Sequence, residues 1–109
     1  MTEARIVLVT APDLDTAARL TRTLVEEGLA ACGNLVPGVR SIYAWEGRIC
    51  DDAEVLIVLK TQAARFVALR DRIAALHPYT TPEILALPVL NGHAPYLRWL
   101  LDQTHPNMG

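Results

Sequence analysis

The chain has 109 residues and a mass of 12.0 kDa, the size of a single domain whose core needs no disulfide or structural metal. It is 51% hydrophobic and 20% charged with a mean hydropathy of +0.22, which excludes a disordered chain. A net charge of −2 with no basic block excludes the electrostatic footprint of a nucleic-acid binder, and no apolar run approaches the ~20 residues of a membrane span.

Residues 1–102 read as one domain, and 103–109, polar and containing His105-Pro106, as a loosely held tail. The run Ile6-Val7-Leu8-Val9 predicts a strand, closed by Thr10-Ala11-Pro12. Asp13 then stands where an N-cap carboxylate accepts backbone N–H groups. The helix behind it carries Leu14, Ala17, Ala18, Leu24, Val25 and Leu29 at helical spacing. Ala31 to Trp45 predicts a long second strand, with a bulge or bend at Pro37-Gly38. Glu46-Gly47 is a tight-turn signal, and the chain returns as a third strand from Arg48 to Lys60, with an irregularity expected at Asp51-Asp52. Thr61 is placed to cap a second helix whose stripe is Phe66, Leu69, Ile73 and Leu76. Pro78 ends it, since a residue before proline avoids the α conformation. A fourth strand from Ile84 to Leu90 and a short helix from about Ala94 to Leu101 complete the order.

That order, β-α-β-β-α-β plus a C-terminal helix, is an α+β ferredoxin-like sandwich: a four-stranded antiparallel sheet with both long helices on one face. Such a sheet ordinarily alternates apolar and polar residues so that its free face meets water. These strands do not alternate: Ile6 to Val9, Val55 to Leu59 and Ile84 to Leu90 contain no polar member. Both faces are therefore apolar, and two helices cover one of them. The uncovered face exceeds the few hundred Å² that a soluble monomer usually shows. Length argues likewise. A strand from Cys32 to Trp45 reaches roughly 45 Å, whereas a domain of this size is only about 34 Å across. The hairpin is expected to overshoot its own domain, and the open face to be buried in a homo-oligomer.

Chemistry is less conspicuous. The chain has no GxGxxG, Walker loop, HExxH, CxxC or GxSxG motif. His77, His93 and His105 are isolated, without the spacing of a metal face. Cys32 sits among small residues at a helix-to-strand junction, and Cys50 stands beside Asp51-Asp52, which disfavours its thiolate. No base is placed beside a nucleophile, so no enzyme is expected. Two cysteines are too few for a disulfide framework, and the N-terminus lacks the layout of a signal peptide, so a cytoplasmic protein is expected. Tyr43, Trp45, Tyr79, Tyr96 and Trp99 are aromatics of the kind that gather at subunit boundaries or ligand clefts. Lys60 is placed to hold an anion or to pair with a carboxylate such as Glu83 or Glu46.

Several blocks occur together in one order: Thr10-Ala11-Pro12-Asp13, Leu29-Ala30-Ala31-Cys32 with Asn34, Pro37-Gly38-Val39, and Ser41-Ile42-Tyr43 before Trp45-Glu46-Gly47. They continue with Lys60-Thr61, His77-Pro78-Tyr79, Pro82-Glu83-Ile84, and Tyr96-Leu97 with Trp99. With these blocks, which span residues 10 to 99, the chain resembles the CutA divalent-cation tolerance family. The resemblance implies a cytoplasmic, non-enzymatic homotrimer related in architecture to the PII nitrogen-signalling proteins. It also implies copper or another divalent cation as ligand; charge and hydropathy, as above, leave neither nucleic acid nor membrane as an expected partner. In the relatives' proposed copper site, a cysteine precedes Ala-Pro-Asp by two residues and two histidines precede Pro-Tyr. Here Val9 and Leu76 stand at two of those positions and only His77 matches. A single imidazole is a poor copper site. His77 is the metal-ligand candidate, and Cys32, Tyr43, Trp45, Lys60 and Tyr79 are the candidate cleft residues. The alternative is a PII-like signalling module that binds a nucleotide or metabolite between subunits through a long basic loop.

Overall fold

Strand β1 (Ala4–Ala11) runs through the middle of the sheet, paired antiparallel with β3 (Arg48–Gln62) on one side and β4 (Leu85–Pro88) on the other. Strand β2 (Cys32–Trp45) pairs with the outer side of β3, which gives the order β2-β3-β1-β4. Helices α1 (Leu14–Glu26) and α2 (Phe66–Leu76) make the crossovers, and α3 (Ala94–Gln103) closes the chain. This is a computed structural model, and it describes residues 2–106. The expected ferredoxin-like α+β sandwich is what the chain forms.

The local reasons are those of the sequence. Asp13 caps α1, accepting a hydrogen bond from the Thr16 amide at 2.8 Å, and that bond holds its carboxyl below the usual carboxylate value. Glu46 and Gly47 close the β2–β3 hairpin with φ of 49° and 76°, both left-handed as a two-residue hairpin turn demands. Helix α2 stops at Leu76, and His77, preceding Pro78, is extended with φ −72° and ψ 139°. Gly33 is needed for space: a Cβ there would meet Thr21 Cγ2 at 2.6 Å, because α1 crosses β2 at this point.

Four expectations need correction. Thr61 does not cap a helix: it is still paired with Arg5 in the sheet, fully buried, with its hydroxyl donating to the Leu29 carbonyl at 2.7 Å. A short 3₁₀ turn, Ala63–Arg65, leads into α2 instead. Asp51-Asp52 is regular, paired with Ile42 and Ser41 without any register shift. Strand β4 is limited to Leu85–Pro88, short of the expected Ile84 to Leu90, although Val89 still donates to the Ala4 carbonyl and accepts from the Thr2 amide beyond the proline. Gln103 still belongs to α3 and Thr104 is fully buried, donating to the Leu100 carbonyl and accepting from Gln62, so packed structure runs past residue 102. Residues 107–109 of the expected tail lie outside the described residues.

The core sits between the helices and one sheet face, where Val7, Val9, Ile57 and Leu59 meet Leu24, Leu69 and Ile73, all at 0% exposure. The opposite face carries Ile6, Leu8, Thr10, Leu56 and Val58, continued by Leu85 and Leu87 on β4 and Val36 on β2. Helix α3 covers one end of that face, burying Leu100 against Ala4 and Ala31, with Gln62 donating to the Leu101 carbonyl. The rest is uncovered within one chain, with Val36, Leu85 and Leu87 each 43–56% exposed. The β2–β3 arm makes the molecule long, with extents of 44 × 28 × 21 Å and a radius of gyration of 14.4 Å, above the ~13 Å of a compact chain this size.

Candidate functional site

The bulge in β2 decides what the arm presents. Val36 pairs with Leu56 but Val39 pairs with Glu54, so β2 carries one extra residue between these pairs, at Pro37-Gly38. One added residue inverts the alternation of everything beyond it. Before the bulge Cys32, Asn34 and Val36 share the open face; after it Ser41, Tyr43 and Trp45 do, opposite Asp52, Cys50 and Arg48. The bulge thus brings Tyr43 and Trp45 to the side on which Glu54 stands.

There they line a cleft of about 540 Å³ along the arm, together with Thr10, Glu54, Tyr79 and Glu83. Glu54 is 8% exposed, and its Oε2 accepts the Tyr79 hydroxyl at 2.7 Å. Tyr43 donates to Asp52 Oδ2 at 2.6 Å. Both phenols resist ionisation. The bond to Asp52, helped by partial desolvation, pushes Tyr43 up to about 12. Burial, followed by the bond to Glu54, raises Tyr79 well above the ordinary phenol value.

His77 lies beneath this cleft and is buried. Its Nδ1 accepts the Tyr79 amide at 3.1 Å, so the ring proton is on Nε2, which donates to the Thr10 carbonyl at 2.7 Å. Both nitrogens are engaged, which leaves no lone pair for a metal in this arrangement. The ring packs against Tyr79 at 4.7 Å between centroids. The geometry makes His77 the seat of Tyr79 rather than a ready ligand.

The candidate residues divide into two places. Tyr43, Trp45 and Tyr79 line the cleft, with His77 below it. Cys32 and Lys60 are cross-strand partners six residues along β3 from Glu54, roughly 20 Å away. There Lys60 donates to Asn34 Oδ1, and Cys32 Sγ lies 3.5 Å from the Tyr96 hydroxyl. Lys60 forms no ion pair among the described residues, so the expected bridge to Glu83 or Glu46 is not made. Asp52 and Glu54 were not among the cleft candidates, although a glutamate beside the apolar run Val55 to Leu59 is the one signal that marks it. Among the described residues no three His, Cys, Asp or Glu side chains converge as a metal centre.

These features, a ferredoxin-like sandwich with one bare apolar sheet face, a projecting hairpin and an acidic, aromatic cleft along it, define a small α+β domain protein. The profile of the CutA1 divalent ion tolerance protein family matches residues 5–103. The chain is 48% identical over 99 residues to the divalent-cation tolerance protein CutA of Thermus thermophilus, covering 91% of this chain and 96% of that one. It is 46% identical over 96 residues to human Protein CutA, of which it spans 54% while 88% of this chain is matched. The solved Thermus thermophilus structure superposes with a TM-score of 0.90 over 93% of this chain and 98% of that one, at 48% identity. CutA from Xylella fastidiosa gives 0.92 over 94% and 99%, at 38% identity. The chain belongs to the CutA1 divalent ion tolerance family. No helix among the described residues is long and apolar enough to cross a membrane.

Proposed function

We propose that the protein acts as a homotrimer in divalent-cation tolerance, without catalysing a reaction. The observation that carries this reading is the open sheet face, where Leu8, Leu56 and Val58 are shielded only by their neighbours and Val36, Leu85 and Leu87 stand in water. A surface of this kind favours association, and an arm longer than its own domain supplies a natural means of reaching another copy. The count of three follows the family resemblance. Divalent cations, copper included, are taken up where copies meet, with ligands drawn from more than one chain. The engaged nitrogens of His77 and the scattering of His, Cys, Asp and Glu favour that over a site within one chain. Unbridged Cys32 and Cys50 support a reducing compartment, and we assign the protein to the cytoplasm.

Sedimentation velocity with parallel calorimetric titration of Cu(II) and Mn(II) tests both halves. The expected result is three times the 12.0 kDa chain mass and a binding heat that disappears when the assembly is dissociated. A soluble, folded species at the single-chain mass overturns the assembly; a trimer without heat overturns direct cation binding. The PII-like alternative is less favoured because the hairpin closes in the two residues Glu46 and Gly47, leaving no long basic loop there.

A further inference from the structure

We propose that Glu54 of one copy and Lys60 of the next form an ion pair that directs their association; this rests on the trimer of the reading above. The open side of β3 is patterned in charge. Arg48, Asp52 and Glu54 stand on the arm side of Leu56 and Val58, and Lys60 stands beyond them at the other end. Within one chain Glu54 and Lys60 are six residues apart along β3, roughly 20 Å, and cannot meet. Glu54 is 8% exposed before any copy is added, and association can only bury it further. Its partner is the neutral Tyr79 hydroxyl, and Lys60 donates to the neutral Asn34 side chain. Among the described residues neither forms an ion pair. A carboxylate and an ammonium withdrawn from water are rarely left without counter-charges.

Cyclic symmetry decides which ends meet. In a ring of identical copies each contact joins two different patches, one from either partner. The arm projects from the sheet on the Glu54 side, so the patch that it carries toward the next copy starts at Glu54. On the open face, the patch left to receive it is the opposite end, where Lys60 is the one charged side chain that the strands place. Contact in this direction puts Leu56 and Val58 of both copies in the apolar middle and opposes unlike charges. Contact between like ends would set Glu54 against Glu54 and Lys60 against Lys60. Arg48 belongs to the same arm-side patch as Glu54, so joining unlike ends does not bring it to another copy's Glu54. The ion pair thus gives the contact a direction, which apolar side chains alone do not.

The test is a double-mutant cycle on the subunit dissociation constant, read by sedimentation equilibrium, with Glu54→Gln, Lys60→Met and the two combined. Glu54→Gln keeps an acceptor for Tyr79 and removes only the charge. Each single variant leaves one covered charge without its counterpart and is expected to raise the constant by about tenfold or more. The combined variant removes both charges and is expected to raise it no further than either single one. Side chains roughly 20 Å apart in one chain do not couple in this way, so the coupling reports a contact between copies. Effects that multiply in the combined variant, or single variants that assemble like wild type, overturn the pairing. Wild-type protein at the single-chain mass instead overturns the trimer itself, so the two failures are told apart. If Glu54→Gln does not fold, the wild-type chain carries its own probe, because Lys60 is its only lysine. Carbodiimide treatment and peptide mass spectrometry are expected to find an amide joining Lys60 to Glu54 in a species of two chain masses. An amide from Lys60 to any other carboxylate overturns the proposal.

Discussion

Tyr43, Tyr79 and Tyr96 are all the tyrosines of the chain, and each is held protonated beyond its ordinary range. The cause differs at each. Tyr43 owes it first to its bond with Asp52, Tyr79 first to burial, and Tyr96, pushed up to about 12, first to its contact with Cys32. A phenol whose folded value lies above its unfolded 10.0 contributes stability that is fully present below pH 10.0 and is lost as pH rises through the folded value. Spectrophotometric titration is therefore expected to show almost no tyrosinate at pH 10.0 in the native protein and about half ionisation at that pH once guanidinium unfolds it. Half ionisation in the native protein would mean that the Asp52 and Glu54 bonds do not persist in solution. His77 supports the same arrangement from below. Replacing it with alanine removes partners from the Thr10 carbonyl and the Tyr79 amide, and is expected to cost roughly 1–3 kcal/mol in denaturant unfolding. A change below that range would indicate that water replaces the ring at both bonds. The motif His77-Pro78-Tyr79 is visible in the sequence, but a histidine that ligates and one that seats a tyrosine look identical there; only the two hydrogen bonds separate them.

Among the elements, β2 carries the largest consequence. Pro37-Gly38 was readable as a bulge, because proline removes a ladder donor and Gly38 adopts φ 78°. What a bulge there achieves depends on register, which pairs Val39 with Glu54 and so turns Tyr43 and Trp45 toward the cleft. Register is a relation between two strands, and no single stretch of sequence contains it. Deleting Gly38 removes the extra residue and leaves Pro37 opposite Val55, so Ser41, Tyr43 and Trp45 are expected to keep their present partners and side while the bend imposed by the bulge is lost. The Tyr43–Asp52 bond is then expected to persist, and the core beneath α1 and α2, which lies before the bulge, to keep its far-ultraviolet signature. A Tyr43 that ionises near pH 10.0 in the deletion variant would show that the arm beyond the bulge has slipped to another register. The misplaced cap at Thr61 has a related origin. Thr61 pairs with Arg5 across the sheet, and a threonine between a strand and a helix suits either element until its partner is known.

The whole molecule is governed by an imbalance that the composition already announces: 51% of residues are hydrophobic, and one pair of long helices covers one sheet face. The apolar runs of three strands made that surplus legible before any coordinates. How α3 divides it was not legible, because covering one end of the second face depends on where the turn after β4 delivers the helix. The uncovered remainder is the part that another copy must shield, and it can be altered without touching the core. Leu85 and Leu87 are 56% and 46% exposed in one chain, on the same face as Leu8 and Ile6. Replacing both with lysine places charges on edge-strand positions that already meet water, so the isolated subunit loses little. Association is a different matter, since each leucine buried between copies contributes on the order of 1–2 kcal/mol and a charge in its place must be desolvated. The double variant is expected to raise the subunit dissociation constant by about a hundredfold or more, read as a shift toward single-chain mass in sedimentation equilibrium, with the helical circular dichroism signal retained. An unchanged assembly in that variant would place the contact between copies elsewhere and leave the bare sheet face without an occupant.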